Sequence, residues 1–577
     1  MADYDLILRG GTVHDGLGSP ARVADLAVKD GRIAAIAPVG TVAGTASEEI
    51  DARGLLVTPG FVDVHTHYDG QATWSQRLQP SSGHGVTSVV MGNCGVGFAP
   101  CRPAERNLLV QVMEGVEDVP EVVMTAGLPW NWETFPEYLD ALAERQFDVD
   151  VAAQLPHSAL RVYVMGERAA GGAPTADDLA AMRRLTAQAI AAGALGVTTS
   201  RNLMHRTKAG ALAPSLHSEE DELGALADGL KDAGRGVFQL IPAPMGDADD
   251  EFALMRRLAQ RSGRPLSYTL IQMPTGDREA WRKSLAALSQ AAADGLPMRA
   301  QVAPRPVGMF YGLDLSFHAF AYHPSYKAIA HLPLAERVAR LRDPAMRARL
   351  LSEQPEDTNP VNLKTVKSFQ YSYAWGSDAD YEPDLSQRLD RLADAAGQSI
   401  EAFTYDLLLA NDGHALFYQP GANYRDGNLD AVRTMLGHPQ AVVGLADGGA
   451  HYGMICDASF PTSYLARWAR DAAEADRIPL PQAVAALTSV PANLAGLSDR
   501  GRLVPGAKAD INLIDLARLQ VHVPTVVHDL PAGGRRMHQR ASGYVATIVA
   551  GTVTYRDGEP TGALPGRLVR GGVAVPA

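Results

Sequence analysis

The 577-residue chain is short of cysteine, with three: Cys94, Cys101 and Cys456. An odd, low count does not build a disulfide framework and points to a reducing compartment. It is short of positive charge too: 52 Lys and Arg against 65 Asp and Glu leave a formal net charge of −13. That balance excludes a broad nucleic-acid or anionic-membrane surface, while a local basic pocket for a small substrate remains compatible with it. No uninterrupted apolar run is long enough to span a bilayer. The opening "MADYDLILRGGTVHDG" lacks the basic-then-apolar pattern of a signal peptide. Repeats and low-complexity tracts are also missing. The absences together give the expectation of a cytoplasmic, enzyme-sized protein with no membrane or nucleic-acid partner.

What is present is ordinary globular composition, 46% hydrophobic and 20% charged, arranged in two textures. Both ends carry short apolar runs broken by Gly and Asp-Gly, such as "YDLILRGGTV" and "GYVATIVAGTVTYRDGEP", which read as strands and turns. Neither end alone makes a stable core, so the two are expected to build one small β-sandwich domain from residues 1–56 and 498–577.

The middle, 57–497, alternates strands with helices. Eight segments read as buried strands: "LLVTPGFVDV", "GVTSVVM", "VDVAAQLP", "ALGVTTS", "GVFQLIP", "LSYTLIQ", "MRAQVAP" and "AVVGLAD". In "TADDLAAMRRLTAQAIAAG", Thr175 and Asp178 suit a capping box and Gly193 a stop. Eight strands alternating with helices predict an α/β fold, a (β/α)8 TIM-like barrel. Two connections exceed ordinary loops: 95–148, containing the helical "PWNWETFPEYLDALAER", and an insertion at about 305–440. Segments of that size serve as lids, substrate-binding parts, plain cover or oligomer contacts. Oligomeric state stays open, a homo-oligomer included.

Three motifs carry chemistry. In "GFVDVHTHYDG", alternation along a strand sends His65 and His67 to one side. At the exit of a barrel's first strand that side is the mouth, where imidazoles chelate a divalent metal. An isolated H-x-H is more often two polar residues at a strand end; the barrel pattern around it reverses that judgement. "VVMGNCGVGFAP" puts Cys94 at the next strand's exit, either a thiolate ligand or a small buried residue in a tight turn. "GLADGGAH" puts Asp447 at the last strand's exit, with His451 four residues on. A carboxylate there binds metal and takes a proton from water, or caps a turn.

In this order, "PGFVDVHTH", "GNCGVGFAP" and "ADGGAH" resemble the amidohydrolase superfamily, and within it the N-acyl-D-amino-acid deacylase group. "VMEGVEDVPEVVMTAGLPWNWETFPEYLDAL", "LPHSALRVYVMG" and "DRGRLVPGAKADINLIDL" support the resemblance over nearly the whole chain, parts of the 305–440 insertion excepted. It implies a metal-dependent barrel hydrolase with a small β domain, and zinc. By position it implies metal-binding roles for His65, His67, Cys94 and Asp447, with Asp447 also moving the proton.

The sequence departs from that pattern where strands five and six should each present a histidine. "GRGVFQLIPAPMG" and "RPLSYTLIQMPTG" hold none, leaving Gln239 and Gln272 as the nearest polar residues, and the third strand has no lysine for a carbamylated bridge. One ion is therefore favoured over two. "TTSRNLMHRTKAG" offers Arg201 and Arg206 as a clamp for a substrate carboxylate, or a solvated basic loop, and His205 as a substrate contact or replacement ligand. His157, Tyr424 and His451 are further substrate-binding candidates; His84 and His438 read as structural. The expected activity is metal-dependent hydrolysis of an amide in a small N-acyl compound, an N-acyl-D-amino acid foremost. Hydrolysis of a cyclic imide, cyclic amide or lactone is the alternative. A degenerate enzyme kept as a binding or assembly protein is the reading from another class.

Overall fold

The structure, a computed structural model, describes residues 2–244 and 246–571. Residues 572–577, the end of the expected C-terminal β segment, lie outside them.

Strands from both termini share one nine-stranded sheet. Its path runs Glu559–Pro560, Thr552–Arg556, Tyr544–Val549, Ile511–Ile514, Leu56–Pro59, Tyr4–Val13, Arg22–Lys29, Arg32–Ala37, with Ala46–Asp51 also on Tyr4–Val13. The tight turns are written in the sequence: Asp30-Gly31, Ala550-Gly551 and Asp557-Gly558 all have positive φ, the geometry a two-residue hairpin needs. One apolar cluster draws on strands from both halves of the path, Leu6, Leu26 and Val28 with Ile511, Ile548 and Val553. Strands from the two ends of the chain thus share one hydrogen-bonded sheet, as the expectation of one small β domain from both termini requires. It also takes Leu56–Pro59, past the expected edge at residue 56.

The middle of the chain supplies parallel strands from all eight expected segments. We label them β1 (Phe61–Asp63), β2 (Val86–Met91), β3 (Asp150–Ala153, continued by Leu155–Pro156), β4 (Gly196–Ser200), β5 (Val237–Ile241), β6 (Leu266–Thr269), β7 (Met298–Val302) and β8 (Ala441–Val443). They form two arcs that meet in β3: its first half pairs with β2 and its second with β4. At the kink, a Cβ on Gly92 would sit 2.3 Å from the Gln154 carbonyl oxygen, so the close approach needs glycine. At the far ends β1 and β8 approach through a parallel Thr66–Gly448 bridge, with His67 N–H donating to Gly448 O at 2.7 Å and Asp447 N–H to His65 O at 3.1 Å.

Helices lie between several of these strands. Ala176–Ala192 begins at the expected Thr175/Asp178 capping box and ends at Gly193; Met182, Ala189 and Ile190 are its buried face. The 95–148 segment contributes helices Arg106–Glu117, Glu121–Gly127 and Phe135–Ala143. The large insertion has its own three-stranded antiparallel sheet, Val307–Tyr311, Phe417–Ala422 and Tyr373–Ala374, and its own apolar cluster around Tyr311, Phe320, Leu341, Phe369 and Tyr405. Among the described residues no helix is long and apolar enough to cross a membrane.

Candidate metal centre

His65 and His67 follow β1 directly and are 1% and 2% exposed. Thr66 between them turns the other way and is tied to β2, its N–H and Oγ1 both donating to Val90 O at 3.1 and 2.9 Å. The two rings therefore share one side, centroids 5.7 Å apart. Gln301 on β7 donates its amide N–H to Ser267 Oγ at 3.0 Å, which turns its carbonyl oxygen to His65 Nδ1 at 2.9 Å. An acceptor there fixes a proton on Nδ1 and turns Nε2, the nitrogen a metal ion would take, inward.

Cys94 comes from a left-handed turn after β2, with Gly92 at φ 85° and Cys94 at φ 55°. Asn93 holds the turn by donating to Thr66 O and Val90 O at 3.1 and 2.9 Å. This brings Cys94 Sγ to 3.4 Å from His65 Nε2, and one donor atom from each of His65, His67 and Cys94 falls within 4.8 Å of the others. Asp447, at φ 49°, enters from the β8 exit. Its Oδ1 lies 3.2 Å from His65 Nε2 and 3.6 Å from His67 Nε2. Two donors on one tetrahedral ion, with bonds of about 2.0–2.1 Å, stand about 3.3 Å apart. One Asp447 oxygen thus sits at coordination distance from both imidazoles.

A fifth group was not foreseen. Glu117, 1% exposed at the end of the Arg106–Glu117 helix, points Oε2 at His67 Nε2 (3.6 Å) and His451 Nε2 (3.2 Å). Its segment, "VMEGVEDVP", had served only the resemblance. The available signal was a carboxylate at a helix C-terminus, where the helix dipole disfavours negative charge.

Negative charge dominates the cluster. Burial alone would lower the pKa of His65, but the Cys94 sulfur and the Asp447 carboxylate outweigh it and raise it to about 10. His67 rises well above its ordinary value, burial again being overcome, here by Glu117, Cys94 and Asp447. Burial would raise Asp447, yet the imidazoles of His65 and His67 beside it hold it well below the usual carboxylate range. Both ring nitrogens of His67, Glu117 Oε1 and His451 Nδ1 are buried without a hydrogen-bond partner among the described residues. Orphaned buried donors that converge with two or three anions fit a divalent cation.

Other expected contacts are corrected by their partners. His157 is fully buried with Nδ1 on Thr199 Oγ1 and Nε2 on Glu222 Oε1, both at 2.8 Å, and Arg161 pairs with the same Glu222. No ring nitrogen is left for a substrate. Arg201 is held two-pronged by Glu251 at 2.8–3.0 Å, and Arg206 donates to Gly210 O, so neither is a free carboxylate clamp. Tyr424 donates its hydroxyl to Pro383 O at 3.0 Å. Gln272 donates to Asp426 and accepts from Arg425 N–H, fastening that turn instead of replacing a ligand.

Three candidates remain open. Gln239 is buried with neither amide atom partnered. His205 has an orphaned Nδ1; burial lowers its pKa to about 4, while it feels the charges of Glu117, His451, His67 and Asp447. His451 is held by Glu117 and keeps Nδ1 free. His84 bonds Thr462 and Gln539 O, and His438 bonds Ser289, both structural.

A model of the amidohydrolase family matches residues 48–555. The chain is 30% identical over 520 residues to the N-acyl-D-glutamate deacylase of Alcaligenes xylosoxydans xylosoxydans, covering 89% of this chain and 87% of that protein. It is 39% identical over 198 residues to the D-aminoacylase of the same organism, a match spanning 34% of this chain and 37% of that relative's length. Among solved structures, an N-acyl-D-glutamate deacylase from Bordetella bronchiseptica, complexed with zinc and a phosphonate mimic of the tetrahedral intermediate, superposes with TM-score 0.66 at 24% identity, covering 98% and 99% of the two chains. A D-aminoacylase, described for its binuclear metal centre with one-metal activation and second-metal attenuation, gives TM-score 0.64 at 24% identity, covering 98% and 100%. At these identities the structural likeness concerns the fold.

Proposed function

The chain belongs to the amidohydrolase family, hydrolases of carbon–nitrogen bonds other than peptide bonds, and from that premise we propose that it deacylates N-acyl-D-amino acids or closely similar small N-acyl compounds. The observation that carries the reading is the single Asp447 oxygen at 3.2 and 3.6 Å from the two imidazoles. His65, His67, Asp447 and Cys94 would hold one divalent ion, zinc by the chemistry of a mixed N, O and S donor set. Support for one ion is the missing histidine at the exits of β5 and β6, together with the one-metal activation described for the D-aminoacylase.

When bound, the ion would supply Lewis acidity that lowers the pKa of water toward neutrality and polarises the scissile carbonyl. Asp447 is ionised at neutral pH and its side chain is 19% exposed, toward the mouth. Asp447 would accept the proton of the attacking water and return it to the leaving nitrogen. Gln301 keeps His65 in the right tautomer throughout.

The same reading joins the two parallel arcs into one closed (β/α)8 barrel through the Thr66–Gly448 bridge, over about 57–497, with the residues of 1–56 and 498–577 as the small β domain. Three buried free thiols support a reducing, cytoplasmic setting.

The test is a hydrolysis panel on the zinc-loaded protein: linear N-acyl-D-amino acids, their L-enantiomers, and cyclic amides, imides and lactones. Preference for linear N-acyl-D-amino acids is expected; turnover confined to cyclic substrates overturns the substrate assignment. Elemental analysis giving two tightly bound zinc ions per chain overturns the single-ion assignment.

A further inference from the structure

Glu117 is in an expensive place. It closes a helix, where its charge opposes the dipole, and it is buried with no lysine or arginine bonded to it. A lone buried carboxylate costs several kcal/mol unless charge and hydrogen bonds compensate. Its side-chain partners are His67 and His451, and Oε1 has none among the described residues.

The distance to His67 matches that of the donor proposed above in the same site. Glu117 Oε2 and Asp447 Oδ1 each lie 3.6 Å from His67 Nε2, against about 3.3 Å for two donors on one tetrahedral ion. His67 Nε2 therefore faces two carboxylate oxygens at equal range.

The helix end is latched to the loop that carries Asp447. His451 N–H donates to Glu117 O, and His451 Nε2 lies 3.2 Å from Glu117 Oε2. One residue on, Asp118 Oδ2 accepts from Gly453 N–H at 3.0 Å and from Ser316 Oγ at 2.8 Å. His451 and Asp118 both adopt positive φ to do this. The inserted helix and the β8 exit thus form one rigid frame with a carboxylate on each side of His67.

We propose that Glu117 is a ligand of the divalent ion at this centre, supplied by the inserted 95–148 segment where β5 and β6 offer no histidine, and that His451 holds its carboxylate toward the ion. This rests on the metal-centre reading above, and extends it to a donor outside the parallel strands.

Metal affinity is the readout. Metal-free wild type, Glu117→Gln, His451→Gln and Gln239→Leu are titrated with zinc against a chromophoric chelator, and their cobalt(II) forms are compared by visible absorption. Glu117→Gln is expected to bind zinc at least about tenfold more weakly, the scale for losing a group that holds or orients a metal, and to shift the cobalt band. His451→Gln should weaken binding less, and Gln239→Leu not at all. Glu117→Gln binding within twofold of wild type with an unchanged cobalt spectrum overturns the proposal. If that variant does not fold, Glu117→Asp keeps the charge and withdraws the carboxylate by one methylene, and the same two outcomes decide. A wild type that binds neither metal instead removes the metal-centre reading itself.

Discussion

At the exits of β1, β2 and β8, His65, His67 and Cys94 bring their donor atoms together, Asp447 stands 3.2 and 3.6 Å from the two imidazoles, and Glu117 reaches His67 from outside the sheet. Within β5 stands Gln239, whose amide has no partner among the described residues, and just past β6 stands Gln272, whose amide fastens the Asn423–Asp426 turn. Both sides are walled by parallel strands, in two sheets that meet in β3. They differ in what holds their side chains. The loaded side uses left-handed turns at Cys94, Asp447 and His451 to aim donors that straight strands could not. Strain of that kind survives only where surrounding contacts over-determine it, and here Asn93, Thr66 and the Glu117–Asp118 latch do so. The candidate metal donors gather on the side that carries these three turns.

Asp447→Asn gives the sharpest break in this contrast. The amide keeps the size and the turn but cannot take a proton and is a poorer metal donor, so turnover at saturating metal is expected to fall roughly 10²- to 10⁴-fold, with the fold retained and metal affinity lowered. Near-normal kcat with wild-type metal content would remove Asp447 from its assigned role. Gln301→Leu comes next. It takes away the acceptor that sets the His65 tautomer, and metal affinity should drop roughly 10- to 100-fold, measured by chelator competition. An unchanged affinity would mean that packing alone orients the ring.

Two histidines near the cluster also titrate in opposite directions. His65 is raised, whereas burial depresses His205, beyond β4, to about 4 from an ordinary 6.5. A depressed folded-state pKa means that the unfolded chain binds the proton first. The contribution of neutral His205 is complete above about pH 6.5 and is lost as pH falls toward about 4. His205→Asn should flatten that part of the acid limb of a stability profile measured on metal-free protein. An identical acid limb would place His205 in solvent.

Much of this was legible. The eight strand segments, the hairpins at Asp-Gly, the Thr175 cap and the H-x-H pair all depend on neighbours in sequence, where period and turn chemistry suffice. What misled was partnership over distance. Arg201 reads as a free guanidinium until Glu251 is placed against it, and His157 as an open imidazole until Glu222 and Thr199 occupy both nitrogens. Tyr424 needs Pro383. None of these partners has a spacing that a linear pattern could reveal. Glu117 was hidden for the same reason, since its two imidazoles lie 50 residues before it and more than 300 after.

Gln239 carries the smallest expected effect and the most discriminating one. A buried amide with no partner costs about 1–3 kcal/mol relative to a satisfied one, and an apolar side chain of similar shape removes that cost. Gln239→Leu is therefore expected to leave metal affinity unchanged and to raise stability by about 1 kcal/mol, read as the shift in denaturant midpoint at constant m. Its effect on KM separates two uses of the bare side. If the amide meets substrate, KM rises while kcat holds; if KM is unchanged, the exit of β5 is only a wall, and substrate recognition lies with the inserted segments. A loss of metal from this variant would reverse the contrast altogether, because it would make β5 a donor strand after all.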